Sequence, residues 1–438
     1  MARKLFGTDG VRGEVGTFLT PDLALSLGRA ATAGLPAPAS GDAPRVLVIR
    51  DTRESGQMLQ AALAAGITAA GGDALLGGVL PTPAAPLLVR RYGFDLAAVI
   101  SASHNPYADN GIKFFGPDGF KLSDDAELEI ERRMEAGVGP AERIGRVHDL
   151  HGTQEDYLRE LAVRFDGLDL SGLRVLLDCA NGATFAVAPE IFCRLGADVT
   201  TVAAEPDGRN INAGCGSTHV EALAGRVAEG GFDVGFAFDG DGDRVLAVDR
   251  RGAVVDGDEL VALAALHLKV EGVAMTVMTN YGFHAAMTAA GVEVATTKVG
   301  DRYVLEELRA RGWRLGGEQS GHIIDMAFCP SGDGIASALL TLEALGGGDL
   351  ADRRAMEKLP QKLVNVRVAD RRATMEHPDV AAAVERESAA LEGRGRVLLR
   401  PSGTEPLVRV MVEAPTAQEA DEACERLVAV VTAAARAA

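Results

Sequence analysis

The sequence predicts an α/β protein with three similar mixed-sheet domains, followed by a smaller α+β domain at the carboxyl end. An apolar strand that leads into a polar loop recurs at residues 94–100, 232–238 and 313–315, as three diverged copies of one α/β unit would require. The chain of 438 residues is also too long for one hydrophobic core and fits roughly three domains of about 150 residues. We therefore expect each copy to be a domain with its own core.

The first copy has the clearest helix and strand signals. Thr20 and Pro21 are typical of a helix start, and Gly34 of a helix end. Acidic residues follow Ser123, where the helix dipole favours them, so a further helix should run from there to Gly137. The other predicted elements are strands at 46–49, 74–80 and 94–100, a helix at 57–70, a hairpin of 110–115 with 119–122, and a polar linker to about 152.

The second and third copies repeat this plan, whereas the end of the chain differs. Residues 416–419 form a capping-box sequence that opens a last helix. The other predicted elements are strands at 174–178, 197–202, 232–238, 274–278, 292–296, 313–315, 395–400 and 407–413, helices at 186–195 and 378–393, and a helix after the loop at 279–282. The predicted domains are 1–152, 153–252, 253–365 and 366–438.

The composition is that of a soluble globular protein, and the charge argues against a nucleic-acid partner. Hydrophobic residues make up 47% of the chain, charged residues 24%, and the net charge is −18. A nucleic acid or an anionic membrane would require a basic surface, so neither is an expected partner. A small phosphorylated ligand is compatible with this charge, because a local basic pocket is enough to bind it.

The chain is expected to be cytoplasmic. Its five cysteines are scattered without a CxxC pair, which argues against a disulfide framework or a structural zinc site. The first residues show no apolar signal segment. Glycines and prolines interrupt the alanine-rich tract at 59–89 too often for it to cross a bilayer.

The polar loop SASHNP, residues 101–106, directly follows a predicted buried strand. Pro106 cannot continue a strand ladder, so the loop lies at a strand end, where open α/β sheets bind ligands. Ser103, directly before His104, is a candidate nucleophile, and Lys113 in the predicted hairpin should lie close to it. Taken alone, this pattern is more typical of an ordinary turn, and the other motifs change that interpretation.

The motif DGDGDR places Asp239, Asp241 and Asp243 directly after another predicted strand. Carboxylates this close repel one another unless a cation neutralises them, and hard oxygen ligands suit Mg²⁺ or Ca²⁺. An EF-hand is excluded, because its sixth and twelfth positions would be Arg244 and Arg250 instead of Gly and Glu. We predict Mg²⁺ with a phosphate completing its coordination, and the alternative is a solvated acidic turn.

Two further loops suit phosphate and sugar. RPSGTEPLVR, residues 400–409, combines arginines with hydroxyls and a glycine, as an anion cradle does; a plain hairpin turn is the alternative. No GxxxxGK[ST] motif occurs, which argues against a nucleoside triphosphatase. GEQSGH, residues 317–322, offers Glu318, Ser320 and His322, and a carboxylate beside a hydroxyl suits sugar hydroxyls, although this motif alone is a weak signal.

The order of the four motifs SASHNP, DGDGDR, GEQSGH and RPSGTEP resembles the α-D-phosphohexomutase family. The similarity runs from about residue 3 to the last helix, with one motif in each predicted domain. Within the family, RKLFGTDGVRG at the start of the chain and GEQSGH resemble the bacterial phosphoglucosamine mutases. The family fold has three similar domains and a fourth unlike them around a central active-site cleft, in agreement with the predicted domains.

The resemblance implies a role for each motif. Ser103 would carry the phosphate and would also be a metal ligand, together with Asp239, Asp241 and Asp243, for one Mg²⁺ per chain. The other implied catalytic residues are His104, Lys113, Arg12, Arg244 and His322. The implied substrate-binding residues are Glu318 and Ser320 for the sugar hydroxyls, and Arg400, Ser402, Gly403, Thr404 and Arg409 for the non-reacting phosphate.

The implied activity is an isomerase that interconverts glucosamine 6-phosphate and glucosamine 1-phosphate. The reaction would pass through the phosphoserine and through glucosamine 1,6-bisphosphate, which acts as intermediate and activator, and would feed amino-sugar nucleotide and cell-wall precursor synthesis. The partner is a small phosphosugar, and a homodimer is expected because family members often dimerise. The alternatives are a phosphomannomutase/phosphoglucomutase, a serine-dependent phosphomonoesterase, and a non-enzymatic acidic protein that binds a metal or a sugar.

Overall fold

A computed structural model describes residues 4–7, 9–36, 42–401 and 406–437 of the chain. The chain forms two compact units. The first consists of Met1–Met278 and Ala295–Arg353, and the second of Thr279–Val294 and Arg354–Ala438. All predicted site residues as far as His322 therefore belong to the first unit, and Arg400 and Arg409 belong to the second.

The first sheet is built from elements close to those predicted. In chain order they are β1 (Val11–Glu14), α1 (Pro21–Ala33), β2 (Arg45–Arg50), α2 (Ser55–Ala69), β3 (Asp73–Val79), α3 (Ala84–Tyr92), β4 (Leu96–Ile100), β5 (Asp109–Phe115), α4 (Asp124–Ala136) and β6 (Val147–Asp149). The strand order is β1-β5-β4-β2-β3-β6. Strand β2 is parallel to β3 and β4, and β5 is antiparallel to β4. Helix α1 begins at its predicted cap, where Thr20 Oγ1 accepts a hydrogen bond from the Leu23 N–H at 3.2 Å.

The second sheet follows the same plan. Its elements are α5 (Thr153–Arg164), β7 (Arg174–Asp178), α6 (Val187–Arg194), β8 (Asp198–Val202), α7 (Glu221–Gly230), β9 (Val234–Phe238), β10 (Val245–Asp249) and β11 (Val254–Val255). The strand order is β11-β10-β9-β7-β8. Strand β7 is parallel to β8 and β9, and β10 is antiparallel to β9.

The third sheet is shorter. The elements of this part of the chain are α8 (Gly257–Leu268), β12 (Gly272–Thr276), α9 (Tyr281–Ala289), β13 (Glu293–Thr297), α10 (Asp301–Arg311), β14 (Leu315–Gly317), β15 (Ile323–Asp325), α11 (Gly334–Leu345) and a 3₁₀ turn (Leu350–Asp352). The strand order is β13-β12-β14-β15. Strand β14 is parallel to β12 and antiparallel to β15.

A common strand order confirms the predicted threefold repeat. The series β3-β2-β4-β5, β8-β7-β9-β10 and β13-β12-β14-β15 are equivalent. In each of them the third strand turns back into an antiparallel fourth strand. The motifs SASHNP, DGDGDR and GEQSGH occupy this one turn in the three copies, so the repeat places all three at equivalent strand ends.

The carboxyl-terminal part of the chain differs, as predicted. Its elements are β16 (Gln361–Arg367), α12 (Arg371–Met375), α13 (Pro378–Ala390), β17 (Arg396–Pro401), β18 (Leu407–Glu413) and α14 (Ala417–Ala437). Strand β18 lies between β16 and β17 and is antiparallel to both. One face of α14 packs into the core of this unit, with Ala420, Cys424, Leu427 and Val431 buried.

Some details of the prediction are wrong. The supposed linker after Gly137 contains β6, which pairs in parallel with β3, because three exposed residues give no apolar pattern. The second arm of the predicted hairpin is reduced to one bridge between Phe115 and Lys121, because β5 pairs with β4 and β1 instead. Besides β6, the elements that were not predicted are α3, α5, α7, α8, α10, α11, α12, β1, β10, β11, β15, β16 and the 3₁₀ turn at Leu350–Asp352.

The cysteines and the helices are relevant to the expected cellular location. The five cysteines are free thiols. None of the helices in the described part of the chain combines the length and the apolar character needed to span a bilayer. The cytoplasmic location itself stays a prediction.

Candidate active site

Ser103 follows β4 in a conformation that residues other than glycine rarely adopt. Its φ is 49°, in the left-handed region, where a Cβ crowds the backbone and a residue persists only if its surroundings hold it. Ser103 is buried, with 2% of its surface exposed. Its Oγ donates to Asp239 Oδ2 at 2.5 Å and lies 3.2 Å from His104 Nδ1. The hydroxyl therefore points toward the carboxylates of the β9–β10 turn.

Asp239, Asp241 and Asp243 come together in that turn. One carboxylate oxygen of each lies within 4.8 Å of the others, and all three residues are buried. Burial, with the negative charges of Asp243 and Asp241, raises the pKa of Asp239 well above its ordinary value. A bound cation would relieve this repulsion.

The oxygens of the cluster differ in their partners. Asp241 Oδ2 accepts hydrogen bonds from Thr82 Oγ1 at 2.6 Å and from Lys113 Nζ at 2.8 Å. Within the described residues, Asp241 Oδ1 and Asp243 Oδ1 are buried and accept no hydrogen bond. Buried polar atoms are rarely left without a partner. These two oxygens, with Asp239 beside them, suit a hard divalent cation.

Asp9 lies near the three carboxylates and is surrounded by several cationic side chains. Arg12 Nη2 donates to Asp9 Oδ2 and Lys121 Nζ to Asp9 Oδ1, both at 2.6 Å. Lys113 Nζ lies 3.8 Å from Asp9 Oδ2, and Lys121 also binds Asp301. Burial alone would raise the pKa of Asp9, but these cations outweigh it and hold the pKa below its ordinary value. Asp9 therefore stays ionised and links residues of the first sheet to Asp301 through Lys121.

His322 lies between Asp301 and the carboxylate cluster of Asp239, Asp241 and Asp243. Its Nε2 lies 3.7 Å from Asp301 Oδ2, and its Nδ1 lies 3.6 Å from Asp243 Oδ2. The Gly332 N–H donates to His322 Nε2 at 3.1 Å. In a neutral ring the proton is consequently on Nδ1, facing Asp243.

Arg12 and Arg244 each present a donor without an acceptor. Among the described residues, the Nε atoms of both are buried and donate no hydrogen bond. The Arg244 N–H donates to Asp239 Oδ1 at 3.2 Å, which keeps this residue beside the cluster. Burial, followed by the charges of Arg244 and Arg12, lowers the pKa of His104, so its ring is neutral at pH 7. Unused guanidinium donors in a buried site suit a phosphoryl group.

Glu318 and Ser320 lie on the β14–β15 turn. Glu318 is buried, and its Oε1 accepts a hydrogen bond from the Gly300 N–H at 3.0 Å, whereas Ser320 is exposed. The turn packs tightly on β10, because a Cβ on Gly321 would lie 2.0 Å from the Val245 carbonyl oxygen. An isolated bridge between Arg244 and His322 also brings the turns after β9 and β14 into direct backbone contact.

Arg400 and Arg409, in the second unit, are directly opposite each other on β17 and β18. Burial and the charge of Arg409 lower the pKa of Arg400. Arg409 Nε is buried and has no hydrogen-bond partner within the described residues. Like charges opposite each other destabilise a sheet, so an anion would stabilise this pair. Ser402, Gly403 and Thr404, the other members of the predicted cradle, lie outside the described residues.

The structure thus brings most of the predicted site residues of the first unit into one network. They are Arg12, Ser103, His104, Lys113, Asp239, Asp241, Asp243, Arg244 and His322, with Glu318 and Ser320 on the adjoining turn. Sequence reasoning missed further polar residues that touch this network. They are Asp9, Asp51, Arg53, Thr82, Lys121, Asn212 and Asp301. For Asp51 and Arg53 a signal was available, because they lie in a polar stretch at 50–56 directly after a predicted strand. No role was predicted for that stretch.

Three repeated sheets with one polar turn each, and a fourth sheet of another kind, agree with the domains of a known family. The chain belongs to the phosphoglucomutase/phosphomannomutase family. Residues 3–138, 155–252 and 256–364 match its alpha/beta/alpha domains I, II and III, and residues 363–430 match its C-terminal domain. These matches confirm the predicted family and fold class.

Bacterial relatives match nearly the whole chain. The phosphoglucosamine mutase of Moorella thermoacetica is 52% identical over 430 residues, which cover 95% of this chain and 96% of that protein. The phosphoglucosamine mutase of Geobacillus kaustophilus is 48% identical over 442 residues, with 98% of each covered.

Solved structures share the fold at lower identity. A phosphoglucomutase/phosphomannomutase family protein from Burkholderia thailandensis has a TM-score of 0.81 at 23% identity, covering 99% of this chain and 98% of its own. The N-acetylphosphoglucosamine mutase of Aspergillus fumigatus, solved with GlcNAc-6P and magnesium, has a TM-score of 0.68 at 19% identity, covering 99% and 96%.

Proposed function

We propose that this chain is an isomerase that interconverts glucosamine 6-phosphate and glucosamine 1-phosphate through a phosphoserine and glucosamine 1,6-bisphosphate. The observation that carries the proposal is the buried Ser103 hydroxyl, 2.5 Å from Asp239 in a cluster of three carboxylates. A serine beside a cation site and several fixed cations is equipped for phosphoryl transfer. The phosphoglucosamine mutases that are 52% and 48% identical to the chain support the amino-sugar substrate.

In this proposal Ser103 holds the phosphoryl group between the two halves of the reaction. The P–O bond at Ser103 breaks as a P–O bond to a sugar hydroxyl forms, and the resulting bisphosphate returns its other phosphoryl group to Ser103. His104 Nδ1, 3.2 Å from Ser103 Oγ, and Lys113 are assigned to proton transfer. The unpartnered Nε donors of Arg12 and Arg244 are assigned to the charge on the phosphoryl oxygens.

The three carboxylates fit one Mg²⁺. Asp241 Oδ1 and Asp243 Oδ1, which are buried without a partner, would hold it with Asp239, and the phosphate on Ser103 would complete the ligand set. When bound, Mg²⁺ supplies positive charge that offsets the charge of the transferring phosphoryl group. His322 Nδ1 lies 3.6 Å from Asp243 Oδ2, and His322 is assigned to orienting that carboxylate.

The remaining roles concern binding. Glu318 and Ser320 are assigned to the sugar hydroxyls, as the β14–β15 turn presents a buried carboxylate and an exposed hydroxyl. Arg400 and Arg409 are assigned to the non-reacting phosphate, because their like charges lie directly opposite each other and the buried Arg409 Nε has no hydrogen-bond partner within the described residues. The roles predicted for Ser402, Gly403 and Thr404 stay predictions.

Arg400→Ala is expected to raise KM by roughly ten- to a hundredfold, because a charge-assisted contact is worth about 1.5–3 kcal/mol. If the contact is equally strong in the ground and transition states, kcat should change little. The intermediate must also rebind, so the variant should depend more strongly on added glucosamine 1,6-bisphosphate. Steady-state rates against substrate and bisphosphate concentration check both effects.

Arg394→Ala is the matched control for Arg400→Ala. Arg394 is exposed just before β17, where its Nη1 lies 3.6 Å from Glu419, so its loss should leave KM unchanged. Superimposable bisphosphate curves for wild type and Arg400→Ala would remove the arginine pair from the mechanism.

Turnover of three substrates side by side tests the function itself. Glucosamine 1-phosphate should be isomerised faster than glucose 1-phosphate or mannose 1-phosphate. Inorganic phosphate should be released far more slowly than isomerisation proceeds. Faster turnover of a neutral hexose phosphate would favour the phosphomannomutase/phosphoglucomutase alternative, and phosphate release at the isomerisation rate would favour the phosphomonoesterase.

Two further expectations also stay predictions. Light scattering of the purified chain at several concentrations tests the homodimer. Separate expression of residues 366–438 tests whether the last predicted domain folds independently. A folded fragment with a cooperative melting transition would support that boundary.

A further inference from the structure

The loop that carries Ser103 is held by two side chains from distant parts of the first unit. Arg53 follows β2, and Asn212 lies in the segment between β8 and α7. Arg53 is 1% exposed and Asn212 is 7% exposed. Both donate to carbonyl groups of the loop, although neither belongs to one of the four motifs.

Arg53 and Asn212 converge on the same two carbonyl oxygens. Arg53 Nη2 donates to Ser103 O and to Asn105 O, both at 2.9 Å. Asn212 Nδ2 donates to the same oxygens at 2.9 and 3.1 Å. Arg53 Nη1 adds hydrogen bonds to Pro106 O and to Asp109 O, the latter at 2.9 Å. The guanidinium thus binds four backbone carbonyls of the loop and its continuation.

The N–H on the other side of Ser103 is held as well. The Ser103 N–H donates to Ser101 Oγ at 3.0 Å, and Ser101 Oγ donates to Asp51 Oδ2 at 2.6 Å. Arg53 Nε donates to the same Asp51 oxygen at 2.9 Å, in a fully buried ion pair. Both peptide groups that flank Ser103 are therefore hydrogen-bonded, one through Ser101 and one through Arg53 and Asn212.

We propose that Arg53 and Asn212 are positioning residues that hold Ser103 in its left-handed conformation for phosphoryl transfer. A serine leaves φ = 49° for a more favourable backbone region unless its surroundings prevent it. Rotation about the Ser103 backbone would move Oγ away from Asp239. This inference rests on the proposed function, because it concerns the orientation of the Ser103 hydroxyl that acts as nucleophile in that function.

The expected effect is on the rate of the chemical step. A misplacement of about 1 Å can cost about a hundredfold in rate, so loss of the Asn212 donors should lower kcat by about 10- to 100-fold. KM for the sugar phosphate should change by less than about twofold, since uniform binding is not affected. Arg53→Lys should act in the same direction, because one ammonium cannot replace five donors in a fixed fork.

Two substitutions at Asn212 separate positioning from packing. Asn212→Gly removes the donors and tolerates the positive φ of 57° at this position. Asn212→Asp keeps the side-chain volume but turns a carboxylate oxygen toward two carbonyl oxygens. If Asn212 positions the loop, kcat should be lower for Asn212→Asp than for Asn212→Gly. If Asn212 only fills space, kcat should be lower for Asn212→Gly.

Asn210 supplies the matched controls. It lies in the same segment, where its side chain donates to Glu205 O and accepts from the Asp207 N–H. Asn210→Gly and Asn210→Asp should leave kcat unchanged, and thermal melting of all variants shows how much stability each loses. If Arg53→Lys fails to fold, the Asn212 pair still tests the proposal.

Hydrogen exchange of the peptide spanning residues 101–109 gives a readout that does not depend on turnover. Exchange should be faster in Asn212→Gly and Asn212→Asp than in wild type and the Asn210 variants. Unchanged exchange and unchanged kcat in both Asn212 variants, or an effect confined to KM, would overturn the inference. If wild type isomerises no sugar phosphate, the proposed function fails, while the exchange data still decide whether Arg53 and Asn212 hold the loop.

Discussion

Ser103→Ala is expected to lower mutase turnover by about 10⁴-fold or more, because the covalent route through the phosphoserine is lost. The hydroxyl is the group that contacts both Asp239 and His104. A coupled assay of sugar-phosphate isomerisation measures the rate. Peptide mass spectrometry of the native protein should find one phosphate on residues 101–106 and assign it to Ser103.

Two controls separate chemistry from conformation at this position. Ser103→Gly accepts the positive φ without strain and should still be inactive, so loss of activity is not explained by backbone strain. Ser101→Ala should keep the phosphate on Ser103 while slowing turnover, because Ser101 Oγ accepts the Ser103 N–H. Full phosphorylation and turnover in Ser103→Ala would refute the assignment.

Asp241→Asn should lower activity by about a hundredfold or more at limiting Mg²⁺, because a bound metal contributes several kcal/mol to charge stabilisation. In the proposed site the substitution replaces a metal-binding oxygen, and it also removes the negative charge that pairs with Lys113 Nζ at 2.8 Å. The effect is measured as rate against Mg²⁺ concentration. Independently of activity, Mg²⁺ should raise the melting temperature of wild type more than that of the variant, because binding to the folded state stabilises it.

Asp249→Asn is the control for Asp241→Asn. Asp249 is also buried, but at the end of β10, where it accepts the Arg251 and Ala253 N–H groups and pairs with Arg353. Its substitution should lower stability and leave the Mg²⁺ dependence unchanged. Wild-type rates for Asp241→Asn at limiting Mg²⁺ would show that the metal assignment is wrong.

The repeated sheets were predictable because their signals are local. Each repeat contains a short apolar strand and a turn rich in glycine or proline, and these can be read within ten residues. Helix α11 was missed for the opposite reason: residues 334–342 are all buried, so the helix has no polar face and no helical period in its sequence. The strand β6 was missed because its three residues are all exposed.

The candidate site also contains residues that sequence patterns can identify and residues that they cannot. The three carboxylates of the candidate metal site lie within five consecutive residues, so their spacing alone suggested the site. Arg53 and Asn212 lie 50 and 109 residues from Ser103, and their neighbourhoods look like ordinary polar loops. The Asp9–Lys121–Asp301 contacts similarly join positions 112 and 180 residues apart. Such contacts exist only after the sheets have assembled, which sequence patterns do not describe.

The equivalent strand order of the three sheets has a consequence for how this chain can change. A turn between an antiparallel pair lies outside the strand ladder, so its residues can differ between copies while the strands on either side keep their pairing. One architecture present in three copies therefore offers three equivalent turns for functional residues. Here one turn holds the proposed nucleophile, one holds three carboxylates and one holds a carboxylate with a hydroxyl. Each copy can therefore acquire a different set of functional residues in its turn while the strand order of the sheet stays the same.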